Sequence, residues 1–244
     1  MKIVAVIPAR YQSKRFNGKP LALIAGKPMI QHVFQQTKAC PELDEIYVAT
    51  DDRRIYECVQ GFGGTAIMTG ENHQSGTDRI AEAVETINLA EQDIVVNIQG
   101  DQPIFQPSML SDLIGALIKN PTILMSTLMH KIVDDQELND INKVKVVVDN
   151  NGYALYFSRL PIPFYRDEKS KKTFHYKHLG LYAYRKEFLL AFTKLSYGLL
   201  EHAEKLEQLR ALEHGFKIKV VETIFDSIEV DTPEDIKKVE QNLS

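Results

Sequence analysis

Cysteine is scarce in this sequence of 244 residues, and the two present, Cys40 and Cys58, stand in neither a metal-ligand spacing nor a disulfide framework. They read as free structural thiols in a reducing compartment. No window approaches the roughly 20 apolar residues that cross a bilayer. The apolar run nearest the amino terminus, Ile3 to Ala9, has the length of a buried strand and runs directly into charge, unlike a secretion signal. The expectation is a cytoplasmic protein with no membrane partner. Neither sign of charge dominates: 29 Lys and Arg face 33 Asp and Glu, and a net charge of -4 gives no general attraction to nucleic acid or anionic lipid. Any anion site must therefore be a local cluster. Also missing are the GxGxxG of dinucleotide-binding folds and the GxxxxGKS/T phosphate loop, which disfavours dehydrogenase and P-loop chemistry. There is no internal repeat and no low-complexity linker.

What is present is 44% hydrophobic content, enough for an ordinary core. Strand-like runs at Ile3 to Ala9, Glu45 to Thr50 and Thr65 to Met68 alternate with helical periodicity at Met29 to Lys38 and Arg53 to Phe62, the latter stopped by Gly63 and Gly64. A third helix carries Ile80, Ala83, Val84 and Ile87 on one face, with Ser75 or Thr77 as its cap. Asp93 to Gln99 is apolar on both faces and is expected at the centre of the sheet; helix resumes near Ser108. After Pro121 the texture changes. Val144 to Val148 and Tyr153 to Phe157 read as a hairpin around Asn150, Asn151 and Gly152. Arg166 to Lys177 reads as an exposed loop, Leu179 to Tyr184 as a strand, and Leu199 to Glu213 as one helix ending at Gly215. Lys217 to Glu222 is then a strand before a helix from Pro233. Residues 1–244 thus predict a single α/β unit, a mostly parallel central sheet flanked by helices, with an inserted antiparallel lobe.

The chemistry-bearing residues cluster in five places. The segment from Arg10 to Leu21, with Ser13, Arg15, Gly18 and Lys19, is a basic loop just beyond the first strand, where open α/β sheets bind ligands. A triphosphate would relieve its self-repulsion through charge-assisted hydrogen bonds; a solvated basic loop is the plainer alternative. Gln99-Gly100-Asp101 places a carboxylate after the presumed central strand, and Val230-Asp231-Thr232-Pro233 places another just outside a helix start. Asp101 and Asp231 together suit Mg²⁺, which is held by one or two carboxylates with phosphate oxygens and water, provided they converge in space. If they do not, Asp231 merely favours the helix terminus. His73 to Arg79, with Ser75, Gly76 and Thr77, is a polar turn entering a helix, whose free amides suit a pyrimidine edge. In the lobe, Arg159 suits a substrate carboxylate, while His178, Glu207 and Gln208 suit sugar hydroxyls; each taken alone is equally a structural residue.

In order along the chain, ARYQSKRFNGKPL, HQSGTDR, QGDQP, YALYFSR, KHLGLYAY, EKLEQLRAL and VDTPED resemble the 3-deoxy-manno-octulosonate (KDO) cytidylyltransferases, also called CMP-KDO synthetases. The similarity runs from residue 3 to about residue 240. It implies a Rossmann-like nucleotide-sugar transferase fold, CTP and a 3-deoxy-octulosonate sugar acid as substrates, Mg²⁺, and a role in lipopolysaccharide precursor synthesis. By the resemblance, about 1–120 and 216–244 bind the nucleotide, and about 121–215 bind the acceptor and form a homodimer. It further implies that Ala9, Arg10, Ser13, Lys19, Ser75, Gly76, Thr77 and Arg79 meet CTP. Arg10, Arg15, Lys19 and Asp101 would act in catalysis, Asp101 and Asp231 would hold the metal, and Gln99, Arg159, His178, Tyr182, Glu207 and Gln208 would meet the sugar. Two positions depart from the pattern. Asn17 stands where Pro is usual, and Gln102 replaces the usual Glu after the metal Asp, which keeps the 8-amino-3,8-dideoxy analogue open as acceptor. Other readings are a CMP-sialic acid synthetase, a uridylyltransferase, or a nucleotide-binding regulator that would not need both carboxylates.

Overall fold

Strand β1 (Ile3–Ala9) organises the molecule because it is apolar on both faces. Its side chains alternate between two cores: Ile3, Ala5 and Ile7 enter one, Val4 and Val6 the other. The computed structural model describes residues 1–13, 15–166 and 175–243. After β1 come β2 (Leu23–Ile24), β3 (Lys27–Pro28), α1 (Met29–Lys38), β4 (Glu45–Thr50), α2 (Arg53–Gly61), β5 (Thr65–Met68), α3 (Gly76–Thr86), β6 (Ile94–Asn97) and α4 (Pro107–Lys119). The second half holds β7 (Met125–Lys131), α5 (Asp135–Asn139), β8 (Lys145–Val148), β9 (Ala154–Ser158), β10 (Tyr176–Arg185) and α6 (Lys186–Phe192). It ends with α7 (Leu199–Glu204), α8 (Leu209–Glu213), β11 (Lys219–Thr223) and α9 (Asp235–Leu243).

The main sheet runs β11-β7-β10-β6-β1-β4-β5. Neighbours β6, β1, β4 and β5 are parallel, as are β7 and β11, while β10 runs antiparallel to β6 and β7. Helices α1, α2 and α4 cover one face through Val33, Val59 and Leu113; α3 and α6 cover the other through Ile80, Val84 and Leu189. A side chain of this size contributes about 1.5–3 kcal/mol when fully buried, so the two layers account for the sandwich. A smaller cluster of Ile24, Met29, Val230 and Val239 seats α9 against the β2–β3 pair.

The hairpin of β8 and β9 is present, with Val146 opposite Phe157. It is not a separate sheet. Strand β10 is ten residues long, and its two ends serve different partners: Tyr182 pairs with Asn97 in the central sheet, while Tyr176 pairs with Val146 of the hairpin. Between them the pairing with β7 slips, from Leu179 opposite Leu128 to Tyr182 opposite Thr127, a bulge that bends the strand at Gly180.

One strand was not read from the sequence, and two local expectations fail. Strand β7 carries Ser126, Thr127 and His130, and its polar residues conceal it from a hydrophobicity reading. Tyr176 and Lys177 belong to β10 rather than to the loop expected over 166–177, of which 167–174 lie outside the described residues. The single helix expected over Leu199 to Glu213 is two short ones, because Lys205 adopts a left-handed conformation with φ 54°. That conformation costs roughly 1–2 kcal/mol outside glycine. Arg159 offsets it by donating through Nε to the Glu204 carbonyl at 2.6 Å and through Nη2 to the Lys205 carbonyl at 3.3 Å, satisfying acceptors that the break releases. Among the described residues, no helix is long and apolar enough to cross a membrane.

Candidate active site

The carboxyl ends of β1 and β6 and the amino end of α3 meet around a cavity of about 230 Å³, lined by Ala9, Arg10, Ser13, Arg15, Lys19, Ser75, Gly76, Arg79, Gln99, Asp101 and Asp231. Two glycines allow the approach. A Cβ on Gly100 would stand 2.7 Å from the Pro8 carbonyl oxygen, and one on Gly76 would stand 3.3 Å from Pro8 Cγ. The basic loop is closed by the Gly18 amide donating to the Tyr11 carbonyl at 2.9 Å, with Gly18 itself at φ 71°. Arg10 and Ser13 make no hydrogen bond or ion pair among the described residues, so both are available to a ligand.

Asp101 and Asp231 lie 130 positions apart, yet their backbones are laced together. The Val230 amide donates to the Asp101 carbonyl at 2.9 Å, and the Ile228 amide donates to the Ile104 carbonyl at 3.0 Å. The two carboxylates share one cation: Lys19 Nζ is 2.6 Å from Asp101 Oδ2 and 3.9 Å from Asp231 Oδ1, and it also donates to the Val230 carbonyl at 2.9 Å. Arg15 forks onto Asp231, with Nη1 and Nη2 at 3.1 and 2.9 Å from its two oxygens. Asp235 fixes that segment by accepting from the amides of Asp231 and Thr232. Among the described residues, no group of three or more His, Cys, Asp or Glu is arranged to hold a metal. The hard oxygens of Asp101 and Asp231 fit Mg²⁺ as the two-carboxylate share of a shell completed by substrate phosphate and water.

On the α3 side, Ser75 and Asp78 form a capping box, the Asp78 amide donating to Ser75 Oγ at 3.1 Å and the Ser75 amide to Asp78 Oδ2 at 3.2 Å. Arg79 is buried and occupied: Nη1 donates to Thr69 Oγ1 at 2.6 Å and to the Gly70 carbonyl at 3.2 Å, and Nη2 pairs with Asp51 Oδ2 at 2.8 Å. Its guanidinium ties the ends of β4 and β5 to the loop that carries His73, Gln74 and Ser75. Glu82 braces the same loop, accepting from the Gly70 amide and from His73. Thr77 is turned away from the cavity and donates to Glu207 Oε2 at 2.5 Å. Burial pushes the Glu207 carboxyl above the usual range, against the Thr77 hydrogen bond that stabilises its charge. Its Oε1 has no hydrogen bond, with Arg210 Nη2 3.9 Å away.

A second cavity of about 300 Å³ opens on the lobe side, lined by Arg15, Lys143, Arg159, Lys177, His178, Gln208, Asp226, Glu229 and Asp231. Arg15 and Asp231 line both cavities, so the carboxylate cluster sits at their junction. Gln99 faces the first cavity and is held loosely, 3.4 Å from both Asn97 Oδ1 and the Gly180 carbonyl. Arg159 reaches the second with three of its N–H groups on carbonyls, including Ile141 at 2.9 Å, out of the five that a guanidinium carries. His178 packs edge-on to Phe157 and lies 2.9 Å from Thr127 Oγ1; burial pushes its pKa down to about 3, so the ring is neutral. Tyr182 is buried beside it, in the wall rather than the lining of either cavity.

Several residues of the lining escape a sequence reading. Lys177 is buried and bridges Glu137 at 2.5 Å and Asp226 at 2.7 Å. Glu229 borders the second cavity, accepts from Gln102 Nε2 at 2.8 Å and has no ion pair among the described residues. Although open to solvent through the cavity, its carboxyl is pushed up by desolvation and then by the Asp101 charge. Lys177 opens the KHLGLYAY motif, where nothing local reveals its two acidic partners, and Glu229 sits outside any helix or strand, where the one visible signal was the unusual Gln102 opposite.

A family model described as Cytidylyltransferase matches residues 4–224. The chain is 53% identical over 242 residues to the 3-deoxy-manno-octulosonate cytidylyltransferase of Syntrophus aciditrophicus, covering 99% of this chain and 97% of that protein. It is 54% identical over 245 residues to the 8-amino-3,8-dideoxy-manno-octulosonate cytidylyltransferase of Shewanella sp. (strain ANA-3), covering 100% and 99%. Among solved structures, CMP:2-keto-3-deoxy-manno-octonic acid synthetase complexed with CTP superposes with a TM-score of 0.93 and 42% identity, over 100% of this chain and 98% of that one. The 4-diphosphocytidyl-2C-methyl-D-erythritol synthase of Anaerococcus prevotii, at 16% identity and a TM-score of 0.65 over 99% and 96% of the two chains, shares the fold.

Proposed function

We propose that this chain, which belongs to the cytidylyltransferase family, transfers CMP from CTP to an octulosonate sugar acid, 3-deoxy-manno-octulosonate (KDO) or its 8-amino-3,8-dideoxy analogue, giving the CMP-sugar acid and pyrophosphate for lipopolysaccharide synthesis. The observation that carries the reading is the meeting of two cavities at one cluster of Arg15, Lys19, Asp101 and Asp231. An in-line displacement at phosphorus needs the nucleotide on one side, the acceptor hydroxyl on the other, and cations and carboxylates between them. Of the two acceptors, the 8-amino analogue is the one favoured by the carboxylate of Glu229, which has no salt bridge among the described residues of the acceptor cavity.

In this reading Ala9, Arg10, Ser13, Lys19, Ser75, Gly76, Thr77 and Arg79 form the CTP site, although Thr77 and Arg79 act by holding the α3 entry, since their polar atoms are engaged with Glu207, Asp51, Thr69 and Gly70. Arg10, Arg15 and Lys19 neutralise the triphosphate as the acceptor hydroxyl attacks the α-phosphorus and pyrophosphate departs. Mg²⁺ held by Asp101 and Asp231 would supply further charge neutralisation on the reacting oxygens. Gln99, Arg159, His178 and Gln208 orient the sugar acid, with Tyr182 and Glu207 supporting them from behind. His178, being neutral, can donate or accept at a sugar hydroxyl without burying a charge. The segment 121–215 also serves as a homodimer surface, a reading supported by the exposed apolar side chains of Leu155, Leu160, Phe164 and Leu199.

The test is pyrophosphate release with CTP or UTP against a panel of sugar acids. Turnover is expected with CTP and an octulosonate, and Asp101→Asn and Asp231→Asn are each expected to lower it at least about 100-fold. Near-normal turnover of Asp101→Asn at saturating Mg²⁺ would remove that residue from the metal site.

A further inference from the structure

Not every charged group around the acceptor cavity has a salt-bridge partner among the described residues. Among the carboxylates in its lining, Asp226 is paired with Lys177 at 2.7 Å and Asp231 with Arg15 at 2.9 Å. Glu229 makes no contact salt bridge among the described residues, and the Lys143 charge acts on it only from beyond contact distance. On the positive side, the Arg159 guanidinium ends on three main-chain carbonyls, none of which neutralises it, and the Lys143 ammonium has no contact ion pair among the described residues. The cavity therefore presents positive charge at Arg159 and Lys143 and negative charge at Glu229, with no contact ion pair among these three.

Gln102 explains how Glu229 can sit there. The side chain of Gln102 is fully buried, and its Nε2 donates to Glu229 Oε1 at 2.8 Å. A glutamate at position 102 would oppose one carboxylate to another at that distance, which low local dielectric penalises heavily. The amide instead orients the Glu229 carboxylate and occupies one of its oxygens, and Glu229 Oε2 has no hydrogen-bond partner among the described residues.

We propose that Glu229, oriented by Gln102, is a specificity-determining residue that selects an acceptor bearing an ammonium group, so that the preferred substrate is a zwitterionic amino sugar acid. Its carboxylate takes the Arg159 and Lys143 charges, and its ammonium pairs with Glu229 in a charge-assisted hydrogen bond. A hydroxyl in place of the ammonium still bonds the carboxylate but leaves the charge uncompensated, which is the basis of discrimination. The inference rests on the proposed cytidylyl transfer to an octulosonate.

The experiment compares kcat/KM for 3-deoxy-manno-octulosonate and its 8-amino-3,8-dideoxy analogue, in the wild type, Glu229→Gln and Glu229→Asp, by pyrophosphate release at saturating CTP. The wild type is expected to prefer the amino sugar by about tenfold or more, a difference of about 1.4 kcal/mol. Glu229→Gln should lower kcat/KM for the amino sugar at least about tenfold more than for the hydroxy sugar, chiefly through KM; Glu229→Asp should keep the preference. Equal losses on both acceptors, or an unchanged ratio, would overturn the role of Glu229 while leaving cytidylyl transfer standing. Absence of CTP turnover with either acceptor in the wild type would overturn the proposed function and this inference with it.

Discussion

Gly100 lies between the central strand β6 and Asp101, and replacing it with alanine tests how tightly the site depends on backbone packing. The added Cβ would lie 2.7 Å from the Pro8 carbonyl oxygen. An ordinary carbon–oxygen contact is about 3.3 Å or longer, so one backbone must retreat by roughly half an ångström or more. Pro8 has little freedom to move, being in register with Ala49 on β4 while β6 flanks β1 on its other side. The displacement therefore falls on residues 100 and 101. Overpacking of this kind costs about 1–3 kcal/mol, which for a chain of this length lowers Tm by roughly 3–10 °C. Movement of Asp101 relative to Lys19, now 2.6 Å away, costs more in rate: misplacement approaching 1 Å lowers turnover about 100-fold. Gly115→Ala in α4 is the matched control, since a Cβ there meets nothing within 4 Å and alanine is the better helix former. Differential scanning fluorimetry and steady-state pyrophosphate release would read both variants. A Gly100→Ala protein with wild-type Tm and turnover would show that the close approach to Pro8 does not position Asp101.

Two further perturbations follow from buried charge. Arg210 forks onto Glu201 at 2.7 and 2.6 Å with both residues buried, and Glu201→Ala should cost about 3–5 kcal/mol and lower Tm by roughly 10 °C by stranding the guanidinium; a change under about 2 °C would mean that Arg210 finds another partner. His178 has a folded pKa of about 3 against an unfolded value near 6.5, so the unfolded chain binds the extra proton between those values. Its contribution to stability is complete above about pH 6.5 and is lost as pH falls towards 3, at about 1.4 kcal/mol per pH unit. Urea unfolding at pH 7 and pH 5 should therefore show the wild type losing about 2 kcal/mol more than His178→Gln, and equal losses would contradict the burial argument.

The parts of the fold that could be read in advance share strong periodicity. Helix α1 and strands β4 and β5 fall on the expected bounds because their apolar residues recur at 3.6 or 2 positions between clear stops. Strand β7 was missed because Ser126 and Thr127 are buried polar residues whose partners come from elsewhere: Ser126 Oγ donates to the Leu113 carbonyl at 2.9 Å, and Thr127 Oγ1 reaches the Leu181 carbonyl at 2.8 Å. The break at Lys205 was hidden for a similar reason, since local propensity favours helix from Leu199 onward and Arg159, just past the end of the distant strand β9, makes the interruption tolerable.

The order of its motifs determined the family of this chain, and its alternating apolar pattern determined a mostly parallel α/β sheet, because both are properties of neighbours along the backbone. Which charges would neutralise one another was decided only in three dimensions. A ladder between residues 101–104 and 228–230 brings Asp101, Glu229 and Asp231 beside Lys19 and Gln102. Electrostatic interaction depends on distance through space and on burial, and neither quantity is written in the spacing of residues along the chain.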